Sequence, residues 1–215
     1  TNHSAVVGTT GWFQGNSTVF PAQPGAPTSC IGANFNNTTG TGTISNWLLT
    51  PPLTLQNGAT MSFWTRTTTG TFPDRLQVRM STMGASSNVG TLPLDFGDFT
   101  TLLLDINPTY TTTGYPIAWT QFTVTVSNVP SPTLGRLAFR YFVENGGPTG
   151  ANSDFIGIDT FQFNGVCGPT PTPSATASPS GTPSATPTAT ATVDYLFNPC
   201  HPRSPRHSPS QGEDG

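Results

Sequence analysis

Alternating apolar and polar residues recur along the first 165 positions, each run closed by a cluster of turn-forming residues. The run TMSFWTRT, 60–67, sets Met61 and Phe63 on one face and Trp64 and Arg66 on the other. RLQVRMS, 75–81, sets Leu76, Val78 and Met80 against Gln77 and Arg79. In QFTVTVS, 121–127, Phe122, Val124 and Val126 point one way and Thr123 and Thr125 the other. GRLAFRYFVE, 135–144, aligns Leu137, Phe139, Tyr141 and Val143. A period of two marks strands buried on one face. Between them lie NNTTGTG, QNGAT, STMGASSNVG, NPTYTTTGYP and ENGGPTGANSD, composed of residues that favour turns. No segment carries a 3.6-residue stripe with caps. Short antiparallel strands with one apolar face bury it by stacking two sheets. The pattern predicts an all-β, antiparallel two-sheet sandwich over residues 1–167.

Composition narrows the function classes. Charged residues are 8% of the 215-residue chain, lysine is absent and the formal net charge is −3, against roughly 25% charged residues in ordinary soluble proteins. Phosphate binding needs clustered positive charge, so seven scattered arginines argue against nucleic acid. No apolar run approaches the roughly 20 residues that span a bilayer. The chain opens on Thr1 with no signal-peptide pattern, as expected of a mature product or an excised piece. Cys30, Cys167 and Cys200 lack C-x-x-C spacing, which argues against zinc. Three cysteines in an oxidising compartment leave one thiol able to bridge to another chain, and the composition points outside the cell.

Candidate chemistry is sparse. His3, His201 and His207 all lie near the chain ends, which leaves the sandwich without a histidine for a Ser-His-Asp or Cys-His arrangement. Asp95, Asp98, Asp105, Glu144, Asp154 and Asp159 are available for paired-carboxylate hydrolysis, but solvated loop acids account for such residues more simply. No catalytic residue is assigned. Asp159 stands apart in SDFIGIDTFQF, sharing strand parity with Phe155, Phe161 and Phe163. A carboxylate in such company needs a partner: Arg136, Arg140, loop N–H groups, or a bound Ca²⁺. Trp12, Trp47, Trp64 and Trp119 are candidates for a sugar-stacking platform, although Trp47 and Trp64 lie inside strand patterns that suit a core. Tyr110 and Tyr115, on a Gly/Pro turn, are better placed to touch a ligand or partner. Asn2, Asn16, Asn36 and Asn37 open Asn-x-Ser/Thr triplets, which arise cheaply in a Thr-rich chain.

Five stretches in order, ISNWLLTPPLTLQNGATMSFWTRT, FPDRLQVRMSTMG, LLLDINP, GRLAFRYFV and NSDFIGIDTFQF, resemble the choice-of-anchor J domain, a relative of the cleaved-adhesin and MAM-like jelly rolls. The resemblance covers most of residues 10–165. It implies a jelly-roll sandwich on a secreted or surface-displayed bacterial protein, with no shared enzymatic activity and no required cofactor. It further implies a structural calcium, with Asp154 and Asp159 as ligands; Ca²⁺ takes 6–8 oxygens, so turn carbonyls would complete the set.

After the sandwich comes an extended Pro/Thr-rich tail. Residues 168–192, GPTPTPSATASPSGTPSATPTATAT, hold no aromatic, charged or large aliphatic side chain to offset ordering entropy. Proline biases such a spacer toward polyproline II, and its composition suits O-linked glycans. At about 3.1 Å per residue it reaches roughly 75 Å, whereas the sandwich has an expected radius of gyration of about 15 Å. Beyond it, Val193, Tyr195, Leu196 and Phe197 make a strand-like run within a 193–200 docking segment, and 201–215 is polar and expected to be disordered. Outer strands of a jelly roll present unpaired N–H and C=O groups, so the run is expected to add to the sheet of another copy of the chain. Cys200 would lock that graft, with Cys30 and Cys167 paired inside one copy. A tail folded back through Cys167–Cys200, or the start of a truncated second domain, are the alternatives. The expected function is a non-catalytic extracellular adhesive or structural module that associates with copies of itself. A carbohydrate-binding module cut from a larger secreted enzyme, with polysaccharide or surface glycan as partner, is the other reading.

Overall fold

In the computed structural model of the chain, which describes residues 1–166, the alternating runs form ten β-strands. They are β1 Phe13–Gln14, β2 Ile31–Asn34, β3 Gly42–Leu49, β4 Leu53–Leu55, β5 Thr60–Thr67, β6 Leu76–Ser81, β7 Thr101–Ile106, β8 Thr120–Thr125, β9 Thr133–Gly146 and β10 Phe155–Asn164. A 3₁₀ turn spans Phe35–Asn37. Cys167, Cys200, the spacer and residues 193–200 lie outside the described residues.

One sheet runs β1-β2-β10-β5-β8, the other β3-β9-β6-β7 with β4 on the first residues of β9. Every pair is antiparallel. The chain crosses repeatedly from one sheet to the other, as a jelly-roll sandwich requires. The apolar positions of the alternating runs meet between the sheets. Met61 and Phe63 face Leu76, Val78, Met80, Leu137, Phe139, Tyr141 and Val143, all buried, with Val124, Val126, Ile156 and Ile158. Burial of each such side chain contributes about 1.5–3 kcal/mol. The Phe63 ring sits edge-on to Phe139 at 4.8 Å and stacks with Phe122 at 5.9 Å.

Two departures from simple alternation matter. The first is a bulge in β10. Asp159 pairs with Trp64 and Gln162 with Ser62, with Thr160 at φ 48° between them. Ile156 and Ile158 therefore face the core before the bulge, and Phe163, opposite Met61, faces it after. The shared parity of Asp159 with Phe163 does not survive the inserted residue.

The second concerns the outer face of β6 and β9, expected to be solvated. Gln77, Arg79 and Arg140 are buried there. Residues 82–99 fold back over them, and Val89 and Phe99 pack with Trp47 and Ala138 in a second apolar cluster. Beneath this cover the Arg140 guanidinium donates to Ser45 Oγ (3.1 Å), Gln77 Oε1 (3.4 Å) and the Pro93 carbonyl (2.5 Å). It lies 4.0 Å from the Phe142 ring centre and 4.8 Å from that of Trp47. Burial, then the charges of Arg79 and Arg75, lower its pKa. The opposite sheet is covered at Gly157 by Phe20 of the β1–β2 loop and by Trp119, which precedes β8: a Cβ at Gly157 would fall 2.8 Å from both rings. Only glycine lets that loop lie so close.

Candidate functional site

The candidate carboxylates among the described residues each make hydrogen bonds within the fold. Asp105 holds Arg75 through two bonds, 2.9 and 2.7 Å, while the exposed Glu144 reaches it at 3.5 Å. Asp98 accepts from Ser86 and Asn88. Asp95 accepts the N–H groups of Thr91 and Leu92, which hold its pKa below the usual carboxylate value. Asp159 takes the loop N–H of Gln23 (2.8 Å) and that of Thr160 (2.6 Å), so loop backbone supplies its partners. Asp154 accepts from Thr68 Oγ1 at 2.6 Å. Asp154 and Asp159 share no partner. Five residue steps of extended chain separate them, roughly 16 Å, so the structure does not bring them into one ligand set. No group of three His, Cys, Asp or Glu side chains converges among the described residues.

The aromatic candidates also disperse. Tyr115, expected at the surface, is buried, its hydroxyl 2.6 Å from Thr65 Oγ1. It cannot meet a ligand there, because Pro116 docks the turn on β5 through the Thr67 N–H. Tyr110 is half-buried, and its hydroxyl accepts from the Glu144 N–H (2.9 Å) and Arg75 (3.3 Å). Trp47 lies under the 82–99 cover, Trp12 packs on the core, and Trp119 donates to the Pro21 carbonyl at 2.9 Å. Trp64 is half-buried on β5, paired with Asp159 of β10, and no ring–ring contact joins two tryptophans among the described residues. Cys30 is buried, and burial followed by the Asp159 charge raises its thiol pKa.

One residue that sequence reasoning missed is Asp74. It is fully buried and receives Thr67 Oγ1, Tyr141 OH and the Asp154 N–H. In FPDRLQ it reads as an ordinary turn acid; its one signal is its place directly before a strand rich in apolar residues.

Two of the open surfaces among the described residues stand out. The first is the edge formed by β8. Val126 donates its N–H to the Ala59 carbonyl at 2.8 Å, in register with the β5–β8 ladder. The two-residue repeat then turns Phe122 and Val124 toward β5. Gln121, Thr123 and Thr125 direct their N–H and C=O groups away, where no strand pairs with β8 among the described residues. β7, the last strand of the other sheet, is likewise paired on one side. Leu102 is exposed, and Leu104 and Phe122 are half-buried against the core. The remaining edges differ. β1 has two residues, and β3 is strapped by the chain start, with His3 N–H on Ser45 O (2.9 Å), Ala5 N–H on Thr43 O (2.8 Å) and Trp47 N–H on Thr1 O (2.8 Å).

The second surface is a cleft of about 320 Å³ lined by Thr10, Phe13, Asn16, Val19, Asn34, Phe35, Asp154 and Phe155. Its walls are aromatic, with Phe13 set edge-on to Phe155 at 5.5 Å. Asn34 Oδ1 accepts from Thr10 Oγ1 (2.8 Å) and the Asn36 N–H (3.1 Å).

No protein-family model matches the chain, and no curated protein does. Solved structures similar to it include the K1 cleaved adhesin domain of Lys-gingipain from Porphyromonas gingivalis W83, 23% identical, covering 77% of this chain and 92% of that one with a TM-score of 0.48. The K2 cleaved adhesin domain of Lys-gingipain is 17% identical, covering 76% and 89%, with a TM-score of 0.47. The carbohydrate-binding module TmCBM61, solved with β-1,4-galactotriose, is 11% identical, covering 71% and 79%, with a TM-score of 0.38.

Proposed function

We propose that the chain is a non-catalytic module of the cell exterior that associates with copies of itself, residues 193–197 of one copy adding as a strand to β8 of the next. The open side of β8 supports this reading. Gln121, Thr123 and Thr125 each offer one donor and one acceptor, and each bond made there contributes about 0.5–1.5 kcal/mol net. An apolar incoming strand would also cover Leu104 and Phe122, which the sandwich leaves half-exposed at this side. A tail-to-edge contact joins unlike surfaces, and where its rotation does not close a ring it propagates as a filament. Cys200, three residues past Phe197, would then be carried to the neighbouring copy.

Three chains test this: the full chain, one ending at Thr192, and the full chain with Thr123→Pro. Proline at an outward-facing edge position keeps the β5–β8 ladder and removes a donor from the open side. Sedimentation and negative-stain microscopy should show assemblies for the first and monomers for the other two. Identical sedimentation of all three would refute strand addition. A monomeric full chain retained on a polysaccharide column would favour a carbohydrate-binding module instead.

A further inference from the structure

Four asparagines open an Asn-x-Ser/Thr triplet, and the fold treats them very differently. Asn2 donates its amide to the carbonyls of Thr10 (3.2 Å) and Asn37 (2.8 Å). Asn37 is fully buried; its amide donates to Thr10 Oγ1 (2.8 Å) and the Gly11 carbonyl (3.1 Å), and its Oδ1 accepts from Asn46 (2.8 Å). A substituent on either nitrogen would remove a used hydrogen and drive bulk into packed chain. Asn36 is half-buried, and the hydroxyl of its triplet partner Thr38 is turned inward onto the Val6 carbonyl (2.9 Å). Asn16 alone of the four is exposed, on the loop between β1 and β2. Its Oδ1 accepts both the Thr18 N–H (3.0 Å) and Thr18 Oγ1 (2.7 Å), while its Nδ2 has no partner among the described residues. That turn fixes the amide by its oxygen and leaves the nitrogen outward.

The same asparagine borders the polar and aromatic cleft. Phe13, three residues before it, and Val19, three residues after, line the walls with Phe35, and Val19 is 40% exposed. An aromatic ring and an exposed valine beside an attachment point suit the apolar face of a pyranose. Asn34 and Asp154 lie within the same walls to meet its hydroxyls. The volume falls at the small end of ligand pockets, which run about 300–1,000 Å³, enough for a sugar unit rather than an extended glycan.

We propose that Asn16 is an attachment site for an N-linked oligosaccharide whose first sugar seats in this cleft. The donor is an oligosaccharide carried on a polyprenyl diphosphate. Asn16 Nδ2 forms a bond to the anomeric carbon as the bond from that carbon to diphosphate oxygen breaks. The lipid diphosphate leaves with the electron pair, and one amide proton passes to a base of the transferase. The attached sugar then shields Val19 and the Phe13 ring.

The experiment uses the full chain secreted from a host that transfers N-linked oligosaccharides. Removal of glycans by an amidase in ¹⁸O water marks each occupied asparagine as labelled aspartate. The folded product should carry the mark at Asn16 and not at Asn2 or Asn37, and N16Q should lack it. Trimming to the first sugar should leave Tm unchanged, whereas removing that sugar should lower it by about 2–4 °C. In Phe13→Leu, which keeps apolar contact with Phe155 but lacks the flat ring, that drop should shrink; each variant is compared with its own stripped form, so intrinsic destabilisation cancels. Asn16→Asp supplies the control for the charge left by the amidase. An unmarked Asn16, or marks at Asn2 or Asn37 in folded protein, overturns the attachment. A Tm insensitive to loss of the first sugar overturns its seating in the cleft.

Discussion

The hydrogens around Asp74 pair more completely when its carboxyl carries a proton. Thr67 Oγ1 lies within reach of both Asp74 Oδ2 and the Phe155 carbonyl, the latter at 3.1 Å, yet a hydroxyl has one hydrogen to give. Protonated on Oδ2, the acid donates to Thr67, and Thr67 donates onward to Phe155. Its Oδ1 still accepts Tyr141 OH (2.5 Å) and the Asp154 N–H (2.9 Å). Burial is the main cause that pushes the Asp74 pKa up to about 6, opposed by those donors and reinforced by the Asp154 charge. The folded chain therefore holds a proton that the unfolded chain releases from pH 3.8 upward. The resulting stability is complete below that pH and is lost as pH rises through about 6. At about 1.36 kcal/mol per pKa unit, the ionised form at pH 7 costs about 3 kcal/mol. In Asp74→Asn, Nδ2 replaces the acid proton toward Thr67 and Oδ1 keeps its two donors, so the variant should lose this pH dependence. Urea unfolding at pH 4, 5, 6 and 7 measures it. Relative to the variant, the wild type should lose about 2.4 kcal/mol between pH 4 and 7, the rest having gone below pH 4. Asp95 acts oppositely, losing stability as pH falls, but it is common to both proteins and cancels. Parallel pH profiles for the two would refute a protonated Asp74.

The cover over the second sheet yields two more expectations. Arg140→Ala removes the cation between Trp47 and Phe142 and strips the Pro93 carbonyl of its donor. It should cost about 3 kcal/mol in urea unfolding and speed proteolytic cleavage within 82–99. Gly97 sits at φ 47°, where a Cβ would lie 2.4 Å from the Asn88 carbonyl oxygen, whereas Gly84, at φ 61°, has open space around it. Gly97→Ala should cost about 1–3 kcal/mol and Gly84→Ala less, with calorimetry as the readout; equal losses would show that φ alone matters.

Alternation made the main core legible, because β5, β6, β8 and β9 each set one apolar face toward the other sheet and show it residue by residue. The second core was not legible. Val89 and Phe99 are isolated apolar residues in a stretch rich in Gly, Ser and Asn, and no period announces that such a stretch will cover Arg140. The bulge at Thr160 defeated the parity argument for Asp159 for a related reason, since one inserted residue exchanges the faces of all that follow. Tyr115 was misjudged because its neighbours are turn-formers, although the turn presses it inward onto Thr65. Asp74 was invisible because its partners, Thr67, Tyr141 and Asp154, are far apart in the chain and meet through the fold.

The distribution of irregular chain bears on which edge another molecule would meet. Residues 1–5 strap β3, the β1–β2 loop lays Phe20 across Gly157, and 82–99 cover β6 and β9. Among the described residues no such segment lies along the outer side of β8. Natural sheets commonly protect an edge with lysine, proline or inward-pointing charge. β8 has none of these; its sequence is TQFTVT, uncharged and rich in strand-forming residues. β7 has a single charge, Asp105, and that carboxylate is held by Arg75 and Gln77. An edge with neither cover nor charge pairs readily with any extended apolar segment that reaches it.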